Sequence, residues 1–192
     1  MRHLLLITLA AALTLRADVP EPANKIVSAA RAQIGVTTLY DGAYVKLSYP
    51  GGDVPEDRGV CTDVIVRAFR AMGLDLQKLV HEDMARAFSK YPQQWGLKSP
   101  DANIDHRRVP NLMRFFERAG KKLAVTKTAT DYRPGDIVSC IIPGNLTHIM
   151  LVCDTPSPDD PKRFQIIHNI GAGASMEDRL FDFEITGHYR YW

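Results

Sequence analysis

One thiol and two imidazoles carry most of the chemistry open to this chain. Cys61 opens the run Cys61-Thr62-Asp63-Val64-Ile65-Val66-Arg67-Ala68-Phe69-Arg70-Ala71-Met72, which Gly73 ends. His148 and His168 lie far downstream, in the runs 147–152 and 164–169. Val64, Ile65, Ala68 and Met72 form the stripe of an amphipathic helix, and Cys61 falls on that stripe. The spacing therefore predicts an inward-facing thiol at a helix N-terminus, where unpaired N–H groups and partial positive charge favour the thiolate. A thiolate attacks carbonyl carbon, and imidazole is the usual carrier of its proton. Cysteine on an apolar helix face and histidine in a strand also serve packing alone. Two features favour catalysis. Gly59-Val60 stands where helix stability would favour a Ser or Asp cap. The strand around His148 is apolar, and an imidazole there is costly without partners.

These groups need elements to hold them. Residues 24–35 read as a first helix with a glycine stop, followed by a turn-rich stretch, 36–60, that holds Tyr40, Tyr44 and Tyr49. The Cys61 helix comes next, then a helical run from Leu76 to about Ser89, and a helix opened by Pro110 and closed by Gly120. Arg133-Pro134-Gly135-Asp136 reads as a turn into the strand 137–142. The His148 and His168 strands, with short runs at 180–185 and 188–192, complete an antiparallel sheet. Helices first and strands later predict an α+β fold, with the Cys61 helix packed on the sheet. No repeat, linker or low-complexity tract interrupts it, so a single domain over 18–192 is expected.

The first 17 residues have the layout of a secretory signal peptide: a basic start, an apolar run from Leu4 to Leu15, then Arg16-Ala17. The apolar run is too short for a membrane span, and no Cys precedes Cys61 to carry a lipid anchor. A periplasmic or secreted protein without a stable membrane anchor is expected. The formal charge of +2 comes from Arg2 and Arg16 in that leader, so the mature chain is expected to be neutral. Lysine and arginine are scattered, without a basic stripe, which argues against nucleic acid as partner. Composition is that of an ordinary soluble protein, 45% hydrophobic and 24% charged. Three cysteines leave at least one unpaired, and a hairpin through Pro143-Gly144-Asn145 would not set Cys140 opposite Cys153. No phosphate-binding glycine loop or His-Glu zinc helix is present, so no cofactor or metal is expected.

The runs Arg133–Val138, Thr147–Val152 and Ile167-His168-Asn169 resemble the catalytic half of NlpC-type cell-wall peptidases of the papain-like clan. The runs 49–55, 59–64, 103–112 and 167–171 look more closely like one bacterial envelope family, catalogued as domain of unknown function 1287. The resemblance spans about Ile26 to Trp192. It implies a papain-like fold and a Cys61-His148-His168 triad that cleaves an amide bond in peptidoglycan stem peptides, acting as a monomer. His168 would fix the tautomer of His148. The Cys61 N–H would donate to the oxyanion, with Tyr49 as a second donor and Asp63 as dipole complement or orienting group. Asp105, His106, Arg107 and Arg108 would either bind a substrate carboxylate or knot the loop to the body. Two departures bear on detail: Val60-Cys61-Thr62-Asp63 replaces Asp-Cys-Ser-Gly, and Met150 replaces a small residue. Competing expectations are a papain-like acyltransferase or thioesterase, a non-catalytic cell-wall binding module, and a zinc site of one Cys and two His.

Overall fold

The computed structural model describes residues 19–192, so the expected signal peptide lies outside the described residues. The fold is α+β. Helices α1 (Glu21–Arg31), α2 (Cys61–Arg70), α3 (Leu76–Ala87) and α4 (Val109–Arg118) precede most of the strands. The strands are β1 (Leu39–Tyr40), β2 (Arg58–Gly59), β3 (Lys122–Leu123), β4 (Ile137–Ile142), β5 (Leu146–Pro156), β6 (Phe164–Asn169), β7 (Ala174–Glu177) and β8 (Glu184–Tyr189). The six-stranded sheet runs β3-β8-β4-β5-β6-β7, antiparallel throughout. A two-residue parallel pair, Leu39 with Arg58 and Tyr40 with Gly59, ties the long loop to the segment before Cys61. Among the described residues no helix is long and apolar enough to cross a membrane.

Period-two alternation splits the sheet's side chains between two cores. Ile149, Leu151 and Ile167 join the helices in the larger core, with Val64, Ile65, Ala68 and Phe69 of α2. Met150, Val152, Ile166 and Cys140 fill a smaller core on the other face, closed by Tyr132 and Leu180. All three cysteines are free, and Cys140 and Cys153 lie in different cores. Helix α2 is the central element. Eight of its ten residues are buried, because it lies between α1 and strands β5 and β6.

Three of the sequence motifs act as fasteners. Within 49–55, the Gly51 and Gly52 amides donate to Asp75 and Gln77 of the α3 start, while Asp53 pairs with Arg67 and Arg70 of α2. A Cβ on Gly52 would lie 2.1 Å from the Ser48 carbonyl oxygen, so only glycine fits. In the Pro134-Gly135-Asp136 turn, buried Asp136 accepts from the Arg133 amide and holds His188 of β8 and Arg190 just beyond it. The run 103–112 anchors the loop to α4: the Asn111 side chain donates to the Asp105 carbonyl, and Arg108 pairs with Asp105.

Candidate active site

Cys61 is the first residue of α2, on a turn held from four sides. Helix α2 has no side-chain cap, because Val60 occupies the N-cap position. Asp63 works in reverse, its carboxylate accepting the Val60 amide at 2.7 Å. Arg107 then grips the Asp63 carboxylate with both prongs, at 2.9 and 3.0 Å, and both side chains are almost wholly buried. The same guanidinium donates to the carbonyls of Asp41 and Ala43, and the Thr62 hydroxyl donates to the Arg107 carbonyl. From the sheet side, the Asn169 amide donates to the Gly59 carbonyl at 3.0 Å. A Cβ on Gly59 would sit 3.0 Å from the Asp63 side chain, so glycine leaves the space the clamp needs.

The thiol is 4% exposed at the floor of a cleft of about 630 Å³. Burial pushes its pKa up to about 12, and Asp63 adds to the rise. The amides of Ile149, Thr62 and Cys61 pull the other way and are outweighed. The expected low-pKa thiolate is therefore corrected. Desolvation exceeds the pull of the helix N-terminus, so the resting group is a neutral thiol.

The two histidines meet. Strand β5 brings His148 and β6 brings His168, and His148 Nε2 lies 2.9 Å from His168 Nδ1. Burial holds His148 down at about 3, with His168 and Arg179 adding to the shift. It lowers His168 too, against the opposing pull of Glu177. Glu177 Oε2 stands 3.3 Å from His168 Nε2, close enough to pair electrostatically but off the line of an aligned hydrogen bond. His148 and His168 alternate in phase with Met150 and Ile166, whereas Ile149 and Ile167 face α2. Among the described residues no hydrogen bond joins the Cys61 sulfur to either imidazole. The link between them is Ile149, next to His148, whose backbone N–H acts on the Cys61 sulfur.

The remaining expected site residues divide. Arg107 and Arg108 line the cleft. Asp105 and His106 lie beneath its wall, 1% and 2% exposed, so the polar cluster is largely the loop knot. Asp63 does more than complement the helix dipole, since it is the hub of the clamp. Tyr49 is not brought to the cleft, and its ring packs edge-on to His81 at 5.1 Å. Tyr40, not Tyr49, lines the cleft and pairs in register with Gly59, and burial pushes its hydroxyl pKa up. Sequence reading missed Tyr40, Asn169 and Glu177. Tyr40 and Asn169 stood in runs already singled out, and only pairing with Gly59 or its carbonyl marks them. Among the described residues no group of three His, Cys, Asp or Glu is placed to hold a metal ion.

The family model described as "Domain of unknown function (DUF1287)" matches residues 27–191. The chain is also 56% identical over 167 residues to "Uncharacterized protein YijF" of Escherichia coli (strain K12), covering 87% of this chain and 80% of that protein.

Proposed function

From membership of the DUF1287 family, to which this chain belongs, and from the geometry around Cys61, we propose an exported papain-like cysteine hydrolase of peptidoglycan stem peptides. The observations that support it most are the Cys61 thiol in the cleft at the start of α2, and the chain Glu177–His168–His148 on strands β5 to β7, carried on the sheet face turned from α2. With Glu177 drawing the proton of His168 to Nε2, His168 Nδ1 accepts from His148 Nε2–H. That tautomer leaves a lone pair on His148 Nδ1, the form a general base requires. The order Cys61, His148, His168 and the motif resemblance supply the papain-like and cell-wall parts of the reading.

In this scheme the Cys61 proton passes to His148 Nδ1 as the sulfur bonds to the amide carbonyl carbon. The carbonyl oxygen takes up negative charge against the orphan N–H of Cys61, with the Tyr40 hydroxyl as second donor. The C–N bond then breaks, and the imidazolium returns the proton to the departing amine. Water, deprotonated by His148, cleaves the thioester and releases the carboxylic acid. Since thiol and imidazole both rest neutral, proton transfer is coupled to attack, and the step requires the His148 ring to be brought round from the far face of β5 to the cleft. Purified protein incubated with soluble muropeptides tests the proposal. Hydrolysis yields two fragments whose masses together exceed the substrate by one water. Transfer to an added amine would mark an acyltransferase instead, and intact muropeptide would reject both.

A second reading, a cell-wall binding module that keeps the fold, is favoured by the raised thiol pKa and by the absence, among the described residues, of a hydrogen bond from the Cys61 sulfur to an imidazole. It predicts muropeptide binding without turnover.

A further inference from the structure

We infer that Arg108 is the specificity-determining residue of the cleft, and that the substrates it selects carry a free carboxylate close to the scissile amide. The inference rests on the cleft being the substrate site. It goes beyond that reading by naming which group of the substrate is bound, and by which side chain.

Charge on the cleft wall is one-sided. Arg107 and Arg108 line it, with no aspartate, glutamate or lysine among the described lining residues. The two arginines are not equivalent. Every nitrogen of Arg107 is already engaged, by Asp63 and the carbonyls of Asp41 and Ala43, so it has no fork left for a ligand. Among the described residues Arg108 spends only Nη1, on Asp105 at 3.0 Å. Its guanidinium carbon sits over the Trp95 ring, 4.1 Å from the centroid, a cation–π contact that holds the fork without using its donors. Nε and Nη2 are thus left to donate, and two parallel N–H groups match the two oxygens of a carboxylate.

A second feature points the same way. Arg108 is the N-cap of the ten-residue α4, and Val109 and Pro110 of its first turn line the cleft. The positive end of the helix therefore borders the same space, with no acidic residue in the first turn itself and Asp105 engaged on the Arg108 Nη1 side. Around this anion seat the cleft wall is partly apolar, with Ile104, Met113 and Leu146 beside Gln94, Asn145 and Thr147. Asp105 holds Arg108 through Nη1.

The test uses two muropeptides that differ only in their peptide carboxyl groups, free in one and amidated in the other. Binding to the Cys61→Ala protein is measured by calorimetry, and turnover by the unmodified protein is measured separately. The free-carboxylate peptide is expected to bind about tenfold tighter or more, the scale of a charge-assisted pair. Arg108→Gln is expected to bring that ratio close to one, and Trp95→Ala to reduce it. Melting temperatures of both variants separate loss of the seat from loss of the fold. If Arg108→Gln unfolds, the Arg108→Lys ratio decides, because lysine keeps charge but loses the fork. Selective binding without turnover would sustain this inference while the hydrolase reading fails. Turnover or binding indifferent to amidation, or no binding of the free-carboxylate peptide, would overturn it.

Discussion

At the residue scale the chemistry is set by desolvation. A thiol at a helix N-terminus has three amides favouring its ionised form, yet burial outweighs them and Cys61 rests protonated. Iodoacetamide is therefore expected to label Cys61 slowly at pH 7, with a rate that climbs steadily through pH 8 to 10. Rapid labelling at neutral pH would show that Cys61 rests as a thiolate. The clamp gives a sharper expectation. Arg107 and Asp63 form a buried pair, and removing one partner leaves the other charge unsatisfied. Arg107→Ala is expected to cost about 3–5 kcal/mol in chemical denaturation, and Arg107→Lys to lose part of that because lysine cannot fork. An Arg107→Lys protein of unchanged stability and poor turnover would place Arg107 in substrate binding after all. Asn169→Ala opens the Gly59 carbonyl and is expected to cost about 1 kcal/mol, with a larger proportional loss in kcat as the Cys61 turn loosens.

At the scale of elements, three strands bring the imidazole chain together. β5 and β6 pair with Leu151 opposite Ile167, which sets His148 and His168 on neighbouring strands and one face. β7 then adds Glu177 at the edge. His168→Asn is expected to retain partial turnover, because an amide can still hold the His148 ring, whereas Glu177→Ala should lower kcat more than KM. Equal activity in Glu177→Ala and the unmodified protein would remove that carboxylate from the account. Strands β4 and β6 were legible to the residue in the apolar runs 137–142 and 164–169, as was the start of α2 at Cys61. β7 was not legible, because Ala174-Ser175-Met176-Glu177 is half polar and gains its pairing only from β6. The two expected runs at 180–185 and 188–192 are one strand, Glu184–Tyr189, whose register shifts along β4. α1 begins at Glu21 rather than Asn24, since Pro22 fits the first helical turn. Tyr40 was passed over for Tyr49 because a two-residue parallel bridge leaves no pattern in sequence.

At the scale of the whole molecule, three buried histidines make acid the weak side of the stability profile. His106, His148 and His168 all have pKa values held below the ordinary 6.5 by burial, His106 at about 4 and His148 at about 3. Below pH 6.5 the unfolded chain takes up protons that the folded chain refuses, so stability falls as pH drops toward 4. The His106 ring nitrogen Nδ1 is buried without a partner, so His106→Leu is expected to flatten the fall in melting temperature between pH 6.5 and 4. An unchanged slope would put the acid sensitivity elsewhere. The larger architecture has one focus: α2, the 103–112 segment and β6 converge on the turn before Cys61, while β5 and β6 carry His148 and His168 on the face turned from α2. The central claim is that Cys61 is the nucleophile served by His148. Muropeptide turnover by the unmodified protein, Cys61→Ser and His148→Ala, each checked for an unchanged melting temperature, tests it most directly. The account predicts fragments that together gain one water from the unmodified protein and none from either variant. Turnover by folded Cys61→Ser at the unmodified rate would contradict it.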